Sequence, residues 1–249
     1  MKRVFIIALL AMSQLLAPQL QAEEPLRALY TGKAIVTGTG DKNRQPGFRD
    51  CLANVILRVS GDQRLLRRRE MQTILARAGS FVRSFSYKDR LAGKPIHDEQ
   101  GTYDRPHDLT CNYDAEIVDR LLDDLGSEPW LTPRPRLYVL LDVERDGQSY
   151  RLRGDLLRDQ DMRSSFANAA GSLAMQVAFP RALDSASPGA LTLQGKLVWS
   201  DAELGWVAVW QLQFKSKLHQ WEVRGVNYDE AFRVAVRGAA QIISGSGQP

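Results

Sequence analysis

The stretch from Phe48 to Gly61, FRDCLANVILRVSG, carries the clearest structural pattern of the chain. Its apolar residues recur at helical spacing, at i, i+4, i+7, i+8 and i+11, and comprise Phe48, Leu52, Val55, Ile56 and Val59. A helix with one apolar face must cover a sheet or another helix, and the glycine at its end is a common helix stop. The stretch therefore predicts a helix packed on neighbouring structure.

Strands and further helices are predicted on both sides of this helix. Leu29 to Thr37, Phe81 to Tyr87 and Leu109 to Tyr113 are rich in apolar, aromatic and β-branched residues and predict three strands. A second helix is expected from Asp62 to about Ala78. Another should follow Asp114, which is expected to cap it, and its stripe comprises Ile117, Val118, Leu121, Leu122 and Leu125.

The second half of the chain predicts a larger set of strands. Leu137 to Val143 is a continuous apolar run, as expected of a strand covered on both faces, and it precedes an Asp146-Gly147 turn. A final helix is predicted from Tyr228, with Asn227 as its cap. Between these lie a helix at about 158–174 and strands at about 150–153, 175–179, 191–199, 206–214 and 218–224.

The order of these elements predicts an α/β chain, with α+β as the alternative, made of two small domains that each have helices packed on a sheet. The proline-containing segment 129–135 is the expected linker. It separates an N-terminal domain at 23–128 from a C-terminal domain at 136–244. Residues 245–249 are expected to form a disordered tail.

Residues 1–22 have the pattern of a secretory signal peptide. Lys2 and Arg3 precede an apolar run of about 13 residues, which is shorter than the roughly 20 that a membrane-spanning helix needs. Leu20-Gln21-Ala22 offers a small residue at the cleavage position. The mature protein is therefore expected to begin near Glu23, to be periplasmic, and to keep no stable membrane anchor.

The charge of the chain gives little support to nucleic-acid binding. The formal net charge is +4, and it falls to +2 when Lys2 and Arg3 leave with the signal peptide. One basic run, from Arg64 to Arg69, could bind an anionic surface, but its residues spread around a helix and acids flank it. A solvated helix face is the favoured interpretation, and no nucleic-acid partner is expected.

Cys51 and Cys111 are the two cysteines of the chain. Cys51 falls on the apolar side of the predicted helix, and Cys111 alternates with apolar residues on one face of a predicted strand. Both are expected to point inward, and export would place them where disulfides persist. A disulfide and two separate buried thiols both remain open.

Candidate catalytic or metal-binding residues are sparse. His97 and His107 lie in a segment that also contains Asp98, Glu99, Asp104 and Asp108, side chains that can bind zinc or a similar metal. Their spacing matches no metal motif, so a solvated loop is the favoured interpretation. The sequence has no Gly-x-Ser-x-Gly or phosphate-loop motif, and no cofactor is expected.

Four tryptophans form the sharper signal: Trp199, Trp206, Trp210 and Trp221 fall within 23 residues. Trp206 and Trp210 project from one face of a predicted strand. Aromatic faces could stack on sugar rings or anchor a protein partner, whereas packing beneath the last helix would bury them. Packing in the core is favoured. Only rings on the face of the sheet that the last helix does not cover are expected to bind a ligand.

Several strings, in order, resemble an exported proteobacterial family known as domain of unknown function 2066. They are Leu29 to Gly32, Val55 to Gly61, Tyr113-Asp114, Pro133 to Arg136, Gly205 to Trp210 and Trp221 to Gly225. The resemblance spans nearly the whole mature chain and implies no established activity. The C-terminal half is also similar to α/β modules of envelope assembly, such as the amino-terminal domain of the translocation protein TolB and the curli secretion factor family.

These observations favour a non-catalytic periplasmic protein that binds another cell-envelope component in an assembly or scaffold role. The alternative is a carbohydrate or peptidoglycan-binding module that uses exposed tryptophans. A hydrolase or metal enzyme is the third hypothesis. The expected partner is thus an envelope protein or a cell-wall component.

Overall fold

The structure is a computed structural model that describes residues 28–93, 105–182 and 189–249. It confirms the α/β class, with two sheets and helices packed on each. The signal-peptide prediction for residues 1–22 lies outside the described residues. Within them, no helix combines the length and apolar character needed to cross a membrane.

The N-terminal half contains a three-stranded antiparallel sheet in the order β1-β3-β2. Its strands are β1 (Thr31–Thr37), β2 (Ser84–Asp89) and β3 (Pro106–Asn112). Its helices are α1 (Asp41–Ser60), α2 (Arg69–Ala76) and α3 (Ala115–Asp124), with 3₁₀ turns at Gln63–Arg67 and Ala78–Phe81.

Helix α1 contains the predicted amphipathic stretch but starts earlier than its pattern indicates. The helix begins at Asp41, ahead of the predicted stretch, and includes Pro46. Pro46 has no N–H to donate to the carbonyl of Lys42, so one intrahelical hydrogen bond is missing there. The helix ends as predicted at Gly61, whose φ of 72° allows its N–H to bond the carbonyl of Leu57.

The single helix expected from Asp62 to Ala78 is divided into a 3₁₀ turn and α2. The Asp62 carboxylate accepts a bond from the Arg64 N–H at 2.9 Å, which tightens the chain into the 3₁₀ turn. Arg68 is then extended, with ψ at 145°, and separates the two segments. Phe81, expected to begin β2, belongs instead to the second 3₁₀ turn.

The C-terminal half contains a six-stranded sheet whose main path is β5-β4-β7-β8-β9, with β6 beside β4. Strands β4, β6 and β7 are parallel, and the remaining pairs are antiparallel. The strands are β4 (Leu137–Arg145), β5 (Gln148–Arg151), β6 (Val177–Ala178), β7 (Leu191–Ser200), β8 (Gly205–Phe214) and β9 (Lys217–Val226). Helices α4 (Gln160–Ser172) and α5 (Tyr228–Ile243) cover one face, and a 3₁₀ turn at Leu157–Asp159 precedes α4.

Helix α1 connects the two hydrophobic cores. Most of its buried residues pack with the N-terminal sheet, but Leu57 belongs to the C-terminal core. Beside it, the Arg58 guanidinium donates to the carbonyls of Ala28 (3.0 Å) and Thr31 (2.5 Å) and to that of Ser172 in α4 (2.7 Å). The C-terminal end of α1 is therefore bonded both to β1 and to the C-terminal half of the chain.

The predicted linker 129–135 lies against this same helix end. The backbone N–H of Trp130 donates to the Val59 carbonyl, and the Arg134 guanidinium donates to the Arg58 carbonyl, both at 2.7 Å. The Arg134 guanidinium also stacks on the Trp130 ring, 4.3 Å from its centre. Burial, followed by the charge of Arg58, lowers the pKa of Arg134 to about 10. The segment is therefore packed rather than free.

The C-terminal tail, expected to be disordered, contacts the edge strand β9. The Gln248 amide donates to the Gln220 carbonyl at 2.8 Å, and its oxygen lies 2.8 Å from Nδ1 of His219. Gln241 in α5 donates to the Gln248 carbonyl at 2.7 Å. These contacts cover polar backbone that an edge strand would otherwise expose.

Helix α1 approaches the backbone of the sheet closely at Gly32. A Cβ at this position would lie 2.5 Å from the Cys51 carbonyl oxygen. We expect Gly32→Ala to lower the free energy of unfolding in urea by about 1–3 kcal/mol, because backbone must move to accept the methyl group. Gly171→Ala is the matched control: that site in α4 is open, and the alanine should stabilise by roughly 0.5–1 kcal/mol. Equal effects of the two substitutions would contradict this packing.

Arg58 should govern how firmly the halves associate. Arg58→Met keeps the aliphatic stem but removes the donors to three carbonyls, and we expect a loss of roughly 2–3 kcal/mol in unfolding free energy. Calorimetry should show the unfolding of the two halves separating in temperature. Arg224→Met, at an exposed arginine of β9, is the control. An unchanged thermogram for Arg58→Met would show that the bridge is unimportant.

Candidate functional site

The tryptophan cluster proposed for binding is largely part of the C-terminal core. Trp206, Trp210 and Trp221 are at most 8% exposed, on the face covered by α4 and α5. The Trp210 ring packs edge-on against Phe166 at 5.8 Å and fills the space above Gly195 in β7, where a side chain would collide with it. Three of the four rings therefore offer no surface to a sugar or a partner.

Trp199 is half-buried, and neighbours occupy its ring. The Trp206 ring packs edge-on against it at 5.5 Å, and the Arg145 guanidinium lies 4.8 Å from its centre. Its Nε1 donates to Asp201 at 2.8 Å. The face and the donor that a ligand would use already have partners within the chain.

The predicted polar cluster is divided by the structure. His97, Asp98, Glu99 and Asp104 lie outside the described residues. His107 and Asp108 are neighbours on β3 and so point to opposite faces of the sheet. Nδ1 of His107 lies 2.7 Å from the Arg105 carbonyl, and Asp108 pairs with Arg90 at 3.5 Å. Among the described residues, no group of three or more histidine, cysteine or acidic side chains could hold a metal.

The two cysteines come together beneath the N-terminal sheet, both as fully buried thiols. A hydrogen bond between them, followed by burial, raises the pKa of Cys51 far above its ordinary value. Burial, followed by the nearby thiols, likewise raises the pKa of Tyr113. The inward orientation expected from the sequence is correct for both cysteines.

A cleft opens where the three strands of the N-terminal sheet end, and we call it the strand-end cleft. Its volume is about 750 Å³, within the range of small-ligand and peptide sites. It is lined by Tyr30, Thr31, Arg83, Ser84, Asn112, Tyr113, Asp114, Ala115, Asp119 and Leu131. These residues come from the starts of β1 and β2, the end of β3, the start of α3 and the linker.

The strand register aligns three polar side chains across the strand-end cleft. Thr31 and Ser84 are both opposite Asn112, because β3 runs antiparallel to β1 and β2. The Thr31 hydroxyl donates to the Asn112 amide oxygen, and the Asn112 amide donates to the Ser84 hydroxyl, both at 3.1 Å. These three side chains form a single row in which hydroxyl and amide groups alternate.

Charged and apolar groups flank this row. Asp114, expected to cap α3 with its side chain, instead accepts a bond from Arg83 at 2.8 Å. Arg83 keeps 69% of its side chain exposed, so this ion pair is weak and can exchange with a ligand. Leu131 is 49% exposed at the rim and offers an apolar contact.

Tyr30 closes the strand-end cleft on the side of α3. Its hydroxyl donates to Asp119 at 2.9 Å. Burial, followed by the bond to Asp119, raises the pKa of Tyr30 well above its ordinary value. A tyrosine that stays protonated can act as a fixed hydrogen-bond donor and holds α3 against the start of β1.

Two other depressions are more polar. A groove of about 1000 Å³ runs between the halves, with Ser165, Asn168 and Asp229 on one side and Lys33 and Asn54 on the other. Asn54 already donates to the Lys33 carbonyl there at 3.0 Å. The uncovered face of the C-terminal sheet holds a smaller depression of about 410 Å³. There the Arg151 guanidinium donates two hydrogen bonds to the Asp142 carboxylate, each 2.8 Å long.

Comparison with known proteins relates the N-terminal half to a domain of unknown function (DUF8605), whose family model matches residues 24–131. Every residue that lines the strand-end cleft lies within that match. A crystal structure of an uncharacterized protein is also similar, with 17% identity over 45% of this chain and 88% of the other, and a TM-score of 0.23. No curated protein matches the sequence.

The sequence patterns did not identify the strand-end cleft as a site. Arg83, Ser84 and Asn112 carry no motif, since they come together through strand register. A signal was nevertheless present, because two strings that carry the family resemblance, Leu29 to Gly32 and Tyr113-Asp114, meet at the cleft.

The raised pKa of Tyr30 predicts a loss of stability in alkali. The folded protein holds the phenolic proton of Tyr30 more tightly than the unfolded chain does. The contribution of Tyr30 to the free energy of unfolding is therefore complete below pH 10 and declines as the pH rises above it. Urea unfolding across this range should show a shallower decline for Tyr30→Phe, which has no proton to lose. Identical slopes for the variant and the natural protein would contradict the prediction.

Proposed function

We propose that this chain is an exported, non-catalytic protein of the cell envelope that binds a segment of an envelope protein in the strand-end cleft. The observation that carries the proposal is the combination of one polar row, one exchangeable ion pair and one exposed apolar side chain around a single opening. Binding sites commonly combine an apolar contact with a few convergent polar groups.

The chemistry of the cleft suits an extended peptide. Thr31, Ser84 and Asn112 present alternating hydroxyl and amide groups that can bond main-chain N–H and C=O groups. Leu131 provides an exposed surface for one apolar side chain. Arg83 can receive a carboxylate in place of Asp114. The proposed occupant is therefore a peptide segment that carries an apolar and an acidic side chain.

The family and the compartment belong to this same proposal. The order of strings from Leu29 to Gly225 supports a place in the exported proteobacterial family of domain of unknown function 2066. The basic and apolar pattern of residues 1–22 supports cleavage before Glu23 and a periplasmic location. The carbohydrate-binding alternative is less favoured, because three of its tryptophans are buried and Trp199 has partners.

Photo-crosslinking in the native host tests the proposed site. A photoreactive phenylalanine analogue at Leu131 should yield a protein adduct of defined mass. The same analogue at Leu157, which is 85% exposed on the other half, is the control and should not. Absence of an adduct from Leu131, or equal adducts from both positions, would contradict the site.

Charge reversal then tests the role of the ion pair. Arg83→Glu should reduce the Leu131 adduct roughly tenfold, as expected for the loss of one strong contact with an acidic ligand. Arg224→Glu reverses another exposed, ion-paired arginine and should leave the yield unchanged. If the adduct survives Arg83→Glu, or if isolated cell wall retains the protein through Trp199, the peptide proposal is wrong.

A further inference from the structure

The two cysteines approach each other because α1 lies directly on β1. Gly32 is the strand residue under Cys51, and a Cβ there would lie 2.9 Å from the Cys51 Cα atom. Across the strand pair, Gly32 is opposite Cys111. Opposite residues of an antiparallel pair have Cα atoms about 4.5–5.5 Å apart. Gly32 therefore has Cys51 above it on α1 and Cys111 beside it on the neighbouring strand.

The side chains complete this approach. Cys51 and Cys111 both point into the layer between α1 and the sheet, where each is 0% exposed. The Cys51 thiol donates to the Leu109 carbonyl at 4.0 Å, two residues before Cys111 on the same strand. The Cys111 side chain is near enough to Cys51 to be the main cause of its raised pKa. A disulfide requires two cysteine side chains that face each other from neighbouring segments of backbone.

We propose that Cys51 and Cys111 form an intramolecular disulfide when the chain folds in an oxidising compartment. The oxidant is a disulfide of small-molecule or protein origin. One cysteine thiolate attacks it and releases one thiol, and the second cysteine displaces the other thiol. Each cysteine loses its proton, the protein gains one S–S bond, and the oxidant is reduced to two thiols.

The bond forms during folding rather than afterwards. In the folded chain both thiols are buried, and the raised pKa of Cys51 keeps that thiol protonated, so an external disulfide has no access to a reactive thiolate there. In the unfolded chain both are accessible. Closure then joins α1 to the central strand β3 across a loop of about 60 residues, which restricts the unfolded ensemble.

The inference rests on the export proposed above, since the oxidising compartment supplies the oxidant. Pairing of the cysteines can nevertheless be measured without cells. A negative result in a defined redox buffer would reject the disulfide and leave export untouched. A positive result there, with reduced cysteines in protein taken from the host, would reject export instead.

Refolding in a glutathione buffer tests the inference. Reduced full-length protein is unfolded in urea and refolded with oxidised and reduced glutathione. We expect a monomer whose intact mass is lower by two hydrogens and whose cysteines resist alkylation after denaturation. With two cysteines in the chain, an intramolecular bond can join no other pair. The urea midpoint should rise relative to the reduced protein.

Two further measurements distinguish pairing from a structural defect. Cys51→Ala/Cys111→Ala should fold with a midpoint that glutathione does not change. The folded reduced protein should react with oxidised glutathione at least roughly tenfold more slowly than the unfolded chain, because both thiols are buried. Two alkylatable thiols in refolded protein, a glutathione adduct, or a lower midpoint after oxidation would each overturn the inference.

Discussion

The packing of α1 on both of its sides is the constraint on which the rest of the structure depends. One side covers the N-terminal sheet so closely that β1 needs a glycine at position 32 beneath the backbone of Cys51. On the other side, near Gly61, Leu57 packs in the second core and Arg58 donates hydrogen bonds to carbonyls of both halves. The linker then follows the same helix end. The end of one helix therefore contacts both halves of the chain and the segment that joins them.

The strand-end cleft is a consequence of this arrangement. Since α1 holds β1 in place, the register aligns Thr31, Asn112 and Ser84 at the end of the sheet. The chain leaves β3 there and turns into α3, which places Asp114 beside Arg83. Small polar side chains at the strand ends, rather than the tryptophan rings, form the row across this opening.

The aromatic residues serve a different purpose in this fold. The C-terminal sheet has one face covered by two helices, and Trp206, Trp210 and Trp221 all lie on that face with Phe166 and Phe232. Large rings contribute most to stability when they are fully removed from water. The opposite face carries ion pairs such as that of Asp142 with Arg151. A cluster of tryptophans in sequence therefore indicated a core here.

Local sequence determined most of the elements. The helical spacing from Phe48 to Val59 and the Asn227 cap each specify structure through neighbours a few residues apart, and both appear as predicted. The apolar run from Leu137 forms the predicted strand β4, but helices cover only one of its faces, so the expected burial of both faces is wrong. The break at Arg68 and the ion pair of Asp114 were missed, because each depends on a competing side-chain bond. The meeting of Cys51 with Cys111 and the row from Thr31 to Ser84 were decided by tertiary structure alone. Both join residues far apart in the chain, and strand register and helix docking, rather than local periodicity, bring such residues together.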